Sequence, residues 1–283
     1  MRYGLNLPNG GACSDARTLA EFAALAEYSG WDGVFLEDYI VYQSRQDIPT
    51  HDPWLALAAM ALRTQRIRLG TEVTPLARRR PWKLARETVT LDHLSNGRLI
   101  LGVGLGASDD TSFTHFGEQI DAKRRAEMLD EGLQILTGLW SGRPFSYRGK
   151  HYSVDEVRFL PATVQRPRIP LWIGGSTARK GVVRRAARWD GIAPYKNPDT
   201  SEWQDFTAED IRELRAQIEN ERTSRTPFEV VVGGRERRED WEQERALIES
   251  LGEAGATWWV EWVAPAELEK MHAAIERGPL CVG

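Results

Sequence analysis

Short apolar runs alternate with longer stretches of helical periodicity along the whole chain, the pattern of repeated βα units around a parallel sheet. Eight runs read as strands, at residues 3–7, 33–37, 67–71, 99–103, 171–173, 191–193, 228–232 and 257–261, each flanked by turn residues. Helices are predicted at 15–28 after a cap at Ser14, 53–63 after Asp52, and 81–94 ended by Asn96-Gly97. Further helices follow at 121–140, 176–188, 207–221, 238–251 and 265–276. In the fourth, Leu129, Leu133, Leu136 and Trp140 fall on one face, as packing on a sheet requires. Eight repeats predict an α/β fold, a closed (β/α)8 TIM barrel forming a single domain over 1–283; an open doubly wound sheet is the alternative.

Two stretches break the rhythm. Residues 141–168 carry Phe145, Tyr147, Gly149 and Tyr152 and read as a short hairpin inserted between the fourth and fifth strands. Residues 194–206 form a long polar loop after the sixth. Loops longer than about twelve residues in a compact barrel are more often functional than idle, so both are expected to cover or shape a site.

Composition narrows the function classes. Thirty-seven Lys and Arg against forty-one Asp and Glu leave a formal charge of −4, which argues against a nucleic-acid surface. The first residues enter an apolar alternation without a charged-then-apolar leader, and no run of about eighteen apolar residues occurs, so a cytoplasmic protein without membrane contact is expected. Cys13 and Cys281 are the only cysteines and have no zinc-like spacing, so no metal site is expected.

A barrel of this kind places its site at the carboxyl ends of the strands. The residues there are Asn6 and Asn9, Glu37-Asp38-Tyr39, Glu72-Val73-Thr74, the run 104–110, Gly174-Gly175-Ser176, Tyr195-Lys196 and Glu261-Trp262. Gly174 to Lys180 closes a strand and opens a helix, so free amides, a capping hydroxyl and the helix dipole suit a phosphate; an ordinary capped helix start is the competing reading. Arg78, Arg79 and Arg80 read either as a solvated face or as a grip on an anionic ligand tail. His51, before the Asp52-Pro53 helix start, is the histidine best placed near a substrate. Asp38 paired with Glu72 or Asp109 offers carboxylates for proton transfer.

Three motifs together resemble the luciferase-like monooxygenase superfamily. They are His51-Asp-Pro-Trp-Leu-Ala-Leu-Ala-Ala followed by Arg63-Thr-Gln-Arg-Ile-Arg-Leu-Gly-Thr, then Leu91-Asp-His-Leu-Ser-Asn-Gly-Arg98, then Leu101-Gly-Val-Gly-Leu-Gly106. Gly138-Leu-Trp-Ser-Gly142, Tyr147-Arg-Gly-Lys-His-Tyr152 and Arg166-Pro-Arg-Ile-Pro-Leu-Trp-Ile-Gly-Gly175 continue it in order, and the likeness covers about residues 1–195. It implies a barrel that holds FMN or coenzyme F-420 at the strand ends and acts on a small organic substrate by hydride transfer or oxygen activation. A homodimer is compatible with it. By position, the resemblance implies cofactor contacts from Asp38, from Glu72 and Val73 in a bulge beside the ring, from Gly104, Gly106 and Ala107, and from Gly174, Gly175, Ser176 and Thr177 at the phosphate end.

One departure is chemical. Many members carry an Asp-His pair where this chain has Asp38-Tyr39, so the imidazole acid or base is missing. Tyr39, Asp109 and His51 are therefore the expected catalytic residues. F-420 is favoured over FMN because Arg78, Arg79, Arg80, Arg179 and Lys180 could hold its acidic tail. The rival reading is a flavin-binding protein without turnover.

Overall fold

A computed structural model describes residues 1–107, 109–196 and 203–282. Position 108 in the 104–110 run and positions 197–202 in the long loop lie outside the described residues.

Eight parallel strands close into a barrel, in the order β1 (Arg2–Leu7), β2 (Gly33–Leu36), β3 (Arg68–Pro75), β4 (Leu99–Gly104), β7 (Leu171–Ser176), β8 (Gly191–Tyr195), β9 (Glu229–Arg235) and β10 (Trp258–Trp262), which returns to β1. Between β4 and β7 in sequence lies an antiparallel pair, β5 (Pro144–Arg148) and β6 (Ser153–Arg158). The TIM barrel with an insertion after the fourth barrel strand is thus observed.

The helices α1 (Ala16–Tyr28), α2 (Pro53–Arg63), α3 (Pro81–Leu94), α4 (Thr111–Thr114), α5 (Ala122–Trp140), α6 (Lys180–Ala186), α7 (Ala208–Glu221), α8 (Trp241–Glu253) and α9 (Leu268–Glu276) surround it. Their starts follow side-chain chemistry. Asp15, Asp52 and Asp121 accept from first-turn amides of α1, α2 and α5, and Thr207 with Asp210 forms a reciprocal cap on α7. Asp15, not Ser14, is therefore the cap of α1; the Ser14 hydroxyl instead donates to the Gly11 carbonyl. α6 starts four residues later than expected, after Arg179, which makes no side-chain cap.

The barrel interior is packed with aromatics. Phe35, Trp172 and Trp258 meet at centroid distances of 5.1, 5.8 and 5.3 Å, with Ile100, Ala193, Val231 and Val260 around them. Each such ring pair contributes about 0.5–1.5 kcal/mol beyond area burial. Trp259, on the opposite face of β10, packs outward under the helices.

The most recognisable motif, Leu91 to Arg98, works below this core. Arg98 is buried and donates to the carbonyls of Ala61, Thr64, Ile67 and Ser95 and to the Thr64 hydroxyl, tying the end of α2 to the start of β3. Asp92 accepts from the amides of Val164 and Gln165 and from the Gln165 side chain. These contacts lie at the amino end of the barrel, the face that reads as stability.

The hairpin does not cover the mouth. Its aromatic residues face helices: Phe145 sits where a Cβ on Gly138 would come within 2.1 Å of its ring, and Tyr152 meets Trp82 edge-on. Glu131 of α5 accepts from the amides of Lys150, His151 and Tyr152, and Arg86 of α3 donates to the Leu160 carbonyl. The insertion is thus pinned to the outer side of α3 and α5, which corrects the expectation that it shapes the site. Glu131→Ala should lower stability by about 1–3 kcal/mol in urea unfolding while leaving ligand affinity at the mouth unchanged; a matching loss of affinity would place the hairpin at the site after all.

Candidate functional site

Side chains alternate along a strand, so inward residues recur every second position. Two positions beyond inward Phe35, Trp172 and Val260 come Glu37, Gly174 and Trp262, and β1, β3, β4 and β9 bring Asn6, Glu72, Gly104 and Gly233 to the same rim. Trp262, Asn6, Glu37 and Glu72 therefore stand on four neighbouring strands, β10, β1, β2 and β3. They share a further property. Asn6 Oδ1, Glu37 Oε2 and Glu72 Oε2 are buried without a hydrogen-bond partner of normal geometry, and so is the Trp262 indole nitrogen, although it stands close enough to the Glu37 carboxyl to favour its charged form. A group of unpartnered polar atoms in one place is what a ligand site looks like before its ligand arrives.

The electrostatics match. Burial pushes the carboxyl of Glu72 up to about 7. Burial does the same to Glu37, also to about 7, although the Tyr42 hydroxyl and the Trp262 indole beside it favour the charged form. Tyr39 is pushed well above the ordinary phenol range by burial and by Glu37, Asp110 and Asp109, so it stays protonated and can donate but not act as a base.

Beside the carboxyl groups is a ledge. The Glu72–Val73 peptide is cis, and the β3–β4 register shifts between Thr71 and Thr74, so a bulge is present where the resemblance implied one. Val73 projects over two glycines: a Cβ on Gly104 would lie 2.9 Å from its Cγ2, and one on Gly174 would lie 2.6 Å from its Cγ1. The absent side chains at 104 and 174 are thus explained first by Val73. Asn6 donates to the Glu72 carbonyl at 3.4 Å and steadies the bulge from below. Behind the glycine loop, Arg125 donates to the carbonyls of Leu105, Gly106 and Ala107, which holds that backbone in place.

Other expected residues are placed differently. Asp38 points away from the mouth, as alternation after Glu37 dictates, and is 4% exposed. Its carboxylate accepts from Thr74, from Trp54 and from two nitrogens of Arg79, which fills its acceptor capacity. Arg78 is also buried and donates to Asp110 and to the Asp38 carbonyl. Two of the three consecutive arginines are therefore internal struts, and only Arg80 is exposed; they are neither a solvated face nor a free grip for an anionic tail. On the next loop the buried carboxylate is Asp110, which caps α4, while Asp109 is exposed. His51 is exposed too, with Nδ1 3.0 Å from the Ser14 hydroxyl.

At the expected phosphate corner, Gly174 and Gly175 continue β7. Ser176 is buried and its hydroxyl donates to the Lys196 carbonyl while accepting from the Ala178 amide; the Thr177 amide donates to Tyr195. Two amides counted on for an anion are thus already bonded within the protein. Glu37 is the functional group that the sequence places on the rim without indicating a role. Among the described residues no cluster of three or more His, Cys, Asp or Glu is arranged for a metal, and no helix is long and apolar enough to cross a membrane.

The profile of the luciferase-like monooxygenases matches residues 1–276. The chain belongs to this family. A relative from Microbacterium testaceum, named F420-dependent glucose-6-phosphate dehydrogenase, is 35% identical over 161 residues, 56% of this chain and 46% of that protein. The chain thus matches about half the length of this curated relative. Among solved structures, an F420-dependent secondary alcohol dehydrogenase in complex with an F420-acetone adduct superposes with a TM-score of 0.78 at 15% identity, covering 99% of this chain and 98% of that one. The oxygenating component of 3,6-diketocamphane monooxygenase from Pseudomonas putida, in complex with FMN, gives 0.64 at 20% identity, over 89% and 73%. Both share the barrel fold of this chain.

Proposed function

We propose that this chain is an oxidoreductase that binds coenzyme F-420, with FMN as the competing cofactor, at the carboxyl mouth of the barrel and acts on a small organic molecule. The observation that carries the reading is the Val73 ledge between Gly104 and Gly174, set beside the unpartnered atoms Asn6 Oδ1 and Glu72 Oε2. A flat ring with one polar edge fits both features at once. Val73 would support its face, with the backbone at Gly104, Gly106 and Ala107 alongside. Asn6 and Glu72 would meet its polar edge, and the strand end from Gly174 to Thr177 would approach its phosphate-bearing chain. When bound, such a cofactor supplies the ring that accepts or donates a hydride.

The protein's part is positioning and proton handling. Glu72, shielded from solvent, donates a hydrogen bond while protonated and accepts one when ionised, so it adapts to either charge state of its partner. The preference for F-420 rests on the names of the relatives and on exposed Arg179 and Lys180 beside the phosphate corner. The binding-only alternative rests on the missing imidazole. Against it stand Glu37 and Glu72 at the mouth, whose carboxyl groups burial raises to about 7 and which offer proton carriers in place of the imidazole.

The test is titration of the cofactor-free protein with F-420 and with FMN, followed by absorbance. Saturable binding of F-420, tighter than FMN, is expected. Tighter FMN binding reverses the cofactor choice, and no binding of either ring sinks the reading.

A further inference from the structure

Glu37 occupies the mouth between Trp262 and Glu72, and nothing assigned to the cofactor uses it. Its Oε2 is shielded from solvent, and its carboxyl group stands beside the Tyr42 hydroxyl and the Trp262 indole, both of which favour its charged form. The groups beside it are Tyr39 and Tyr42 after β2 and Trp262 on β10, while Glu72 stands on the neighbouring strand end of β3; Asp109, Asp110 and Arg78 act on Tyr39 from outside. The other proton carriers in reach are unsuited. Both tyrosines are held protonated, largely by burial. Asp38 is saturated by Arg79, Thr74 and Trp54, and His51 is exposed and bonded to Ser14.

We propose that Glu37 is the catalytic residue that takes and returns the substrate proton, and that the substrate is an uncharged hydroxyl compound or the matching carbonyl compound rather than a sugar phosphate. The proposal rests on the cofactor reading above. In the oxidative direction the carbinol carbon gives up a hydride, with both electrons of the C–H bond, to the oxidised cofactor. The hydroxyl proton passes to the Glu37 carboxylate as the C=O bond forms. In the reductive direction the carbonyl carbon receives the hydride and Glu37 returns the proton to its oxygen. Atoms and charge balance with the cofactor as the only co-reactant.

The uncharged substrate follows from what surrounds the carboxyl groups. A phosphate dianion entering the mouth would face Glu37 and Glu72 together. The arginines behind the rim are already committed, Arg78 to Asp110, Arg79 to Asp38 and Arg125 to three carbonyls. Tyr39 and Trp262 offer instead an aromatic wall with donor tips, suited to a neutral organic molecule bearing one oxygen.

The experiment uses cofactor-loaded protein, the variants Glu37→Gln and Glu37→Asp, and a panel of uncharged alcohols and ketones with glucose 6-phosphate as the charged competitor. Glu37→Gln is expected to lower kcat by about 10²–10⁴-fold and to remove one of the two ionisations near neutral pH, leaving that of Glu72 in the kcat profile. Its cofactor dissociation constant should stay within about threefold of the parent. Glu37→Asp should keep the ionisation at an intermediate rate. In cofactor-free protein, infrared difference spectra across neutral pH should show a carboxyl band that loses part of its amplitude in Glu37→Gln.

A Glu37→Gln enzyme of near-parental kcat, or an infrared band unaffected by it, overturns the proton role. Faster turnover of glucose 6-phosphate than of every uncharged compound, or no turnover of any uncharged member, overturns the substrate class. Failure of the parent protein to bind either cofactor is separate: it refutes the underlying reading, and the infrared result then judges Glu37 alone.

Discussion

Replacing Asp38 with alanine is expected to remove about 3–5 kcal/mol of folding stability, the range for breaking a buried ion pair by deleting one partner. The carboxylate lies against two arginines. Arg79 donates to it through two nitrogens at 2.8 and 3.1 Å, and Arg78 Nη2 is 3.6 Å from Oδ1. Removing it leaves a guanidinium with little exposed surface and takes from Thr74, the residue that ends the β3 bulge, one of its two acceptors, leaving only the Thr71 hydroxyl. Arg78 keeps Asp110 and should stay in place. Urea unfolding of Asp38→Ala measures the loss directly. A change below about 1 kcal/mol, together with a large loss of cofactor affinity, would move Asp38 from framework to ligand contact.

The second large effect depends on pH. Glu72 has its proton affinity raised from 4.5 to about 7 by burial, so between those values the folded protein holds a proton that the unfolded chain releases. Stability then falls as pH rises through that window, because ionisation must occur in a shielded place. Glu72→Gln keeps the shape and cannot ionise. It is expected to stabilise the fold by roughly 3 kcal/mol at pH 8 and by under about 1 kcal/mol at pH 5, each tenfold change in proton affinity being worth about 1.36 kcal/mol. Chemical unfolding of parent and variant at both pH values checks the sign. An equal difference at the two, or destabilisation at the higher, would mean that Glu72 finds partners that hold its charge.

The barrel was readable because eight apolar runs and the helices between them each announce themselves locally, by alternation and by caps such as Asp52 and Thr207. The site was readable only by region. Glu37 and Asp38 are neighbours, and the likeness to known relatives drew the weight to Asp38. Parity along β2 points the other way: Phe35 is inside the barrel, hence Glu37 is inside and Asp38 outside. The same holds for Asp109 and Asp110, one residue apart, where helix capping by Asp110 decides which is buried. The arginine run could not be resolved by composition, since its partners lie about 30–40 residues away in sequence and meet it only in the closed barrel. The hairpin shows a similar limit. Phe145 and Tyr152 demand an apolar neighbour, but nothing local says whether that neighbour is a helix or a ligand.

Val73 and the two bare backbones at 104 and 174 occupy a single volume contributed by three strands. A methyl group has room there only once, so the three positions can change in concert and not singly. An alanine at 174 becomes admissible beside a smaller residue at 73, and a bulkier residue at 73 cannot expand toward 104 or 174. The floor of the mouth is therefore one steric unit, and its contour would be redrawn by paired replacement rather than by single changes.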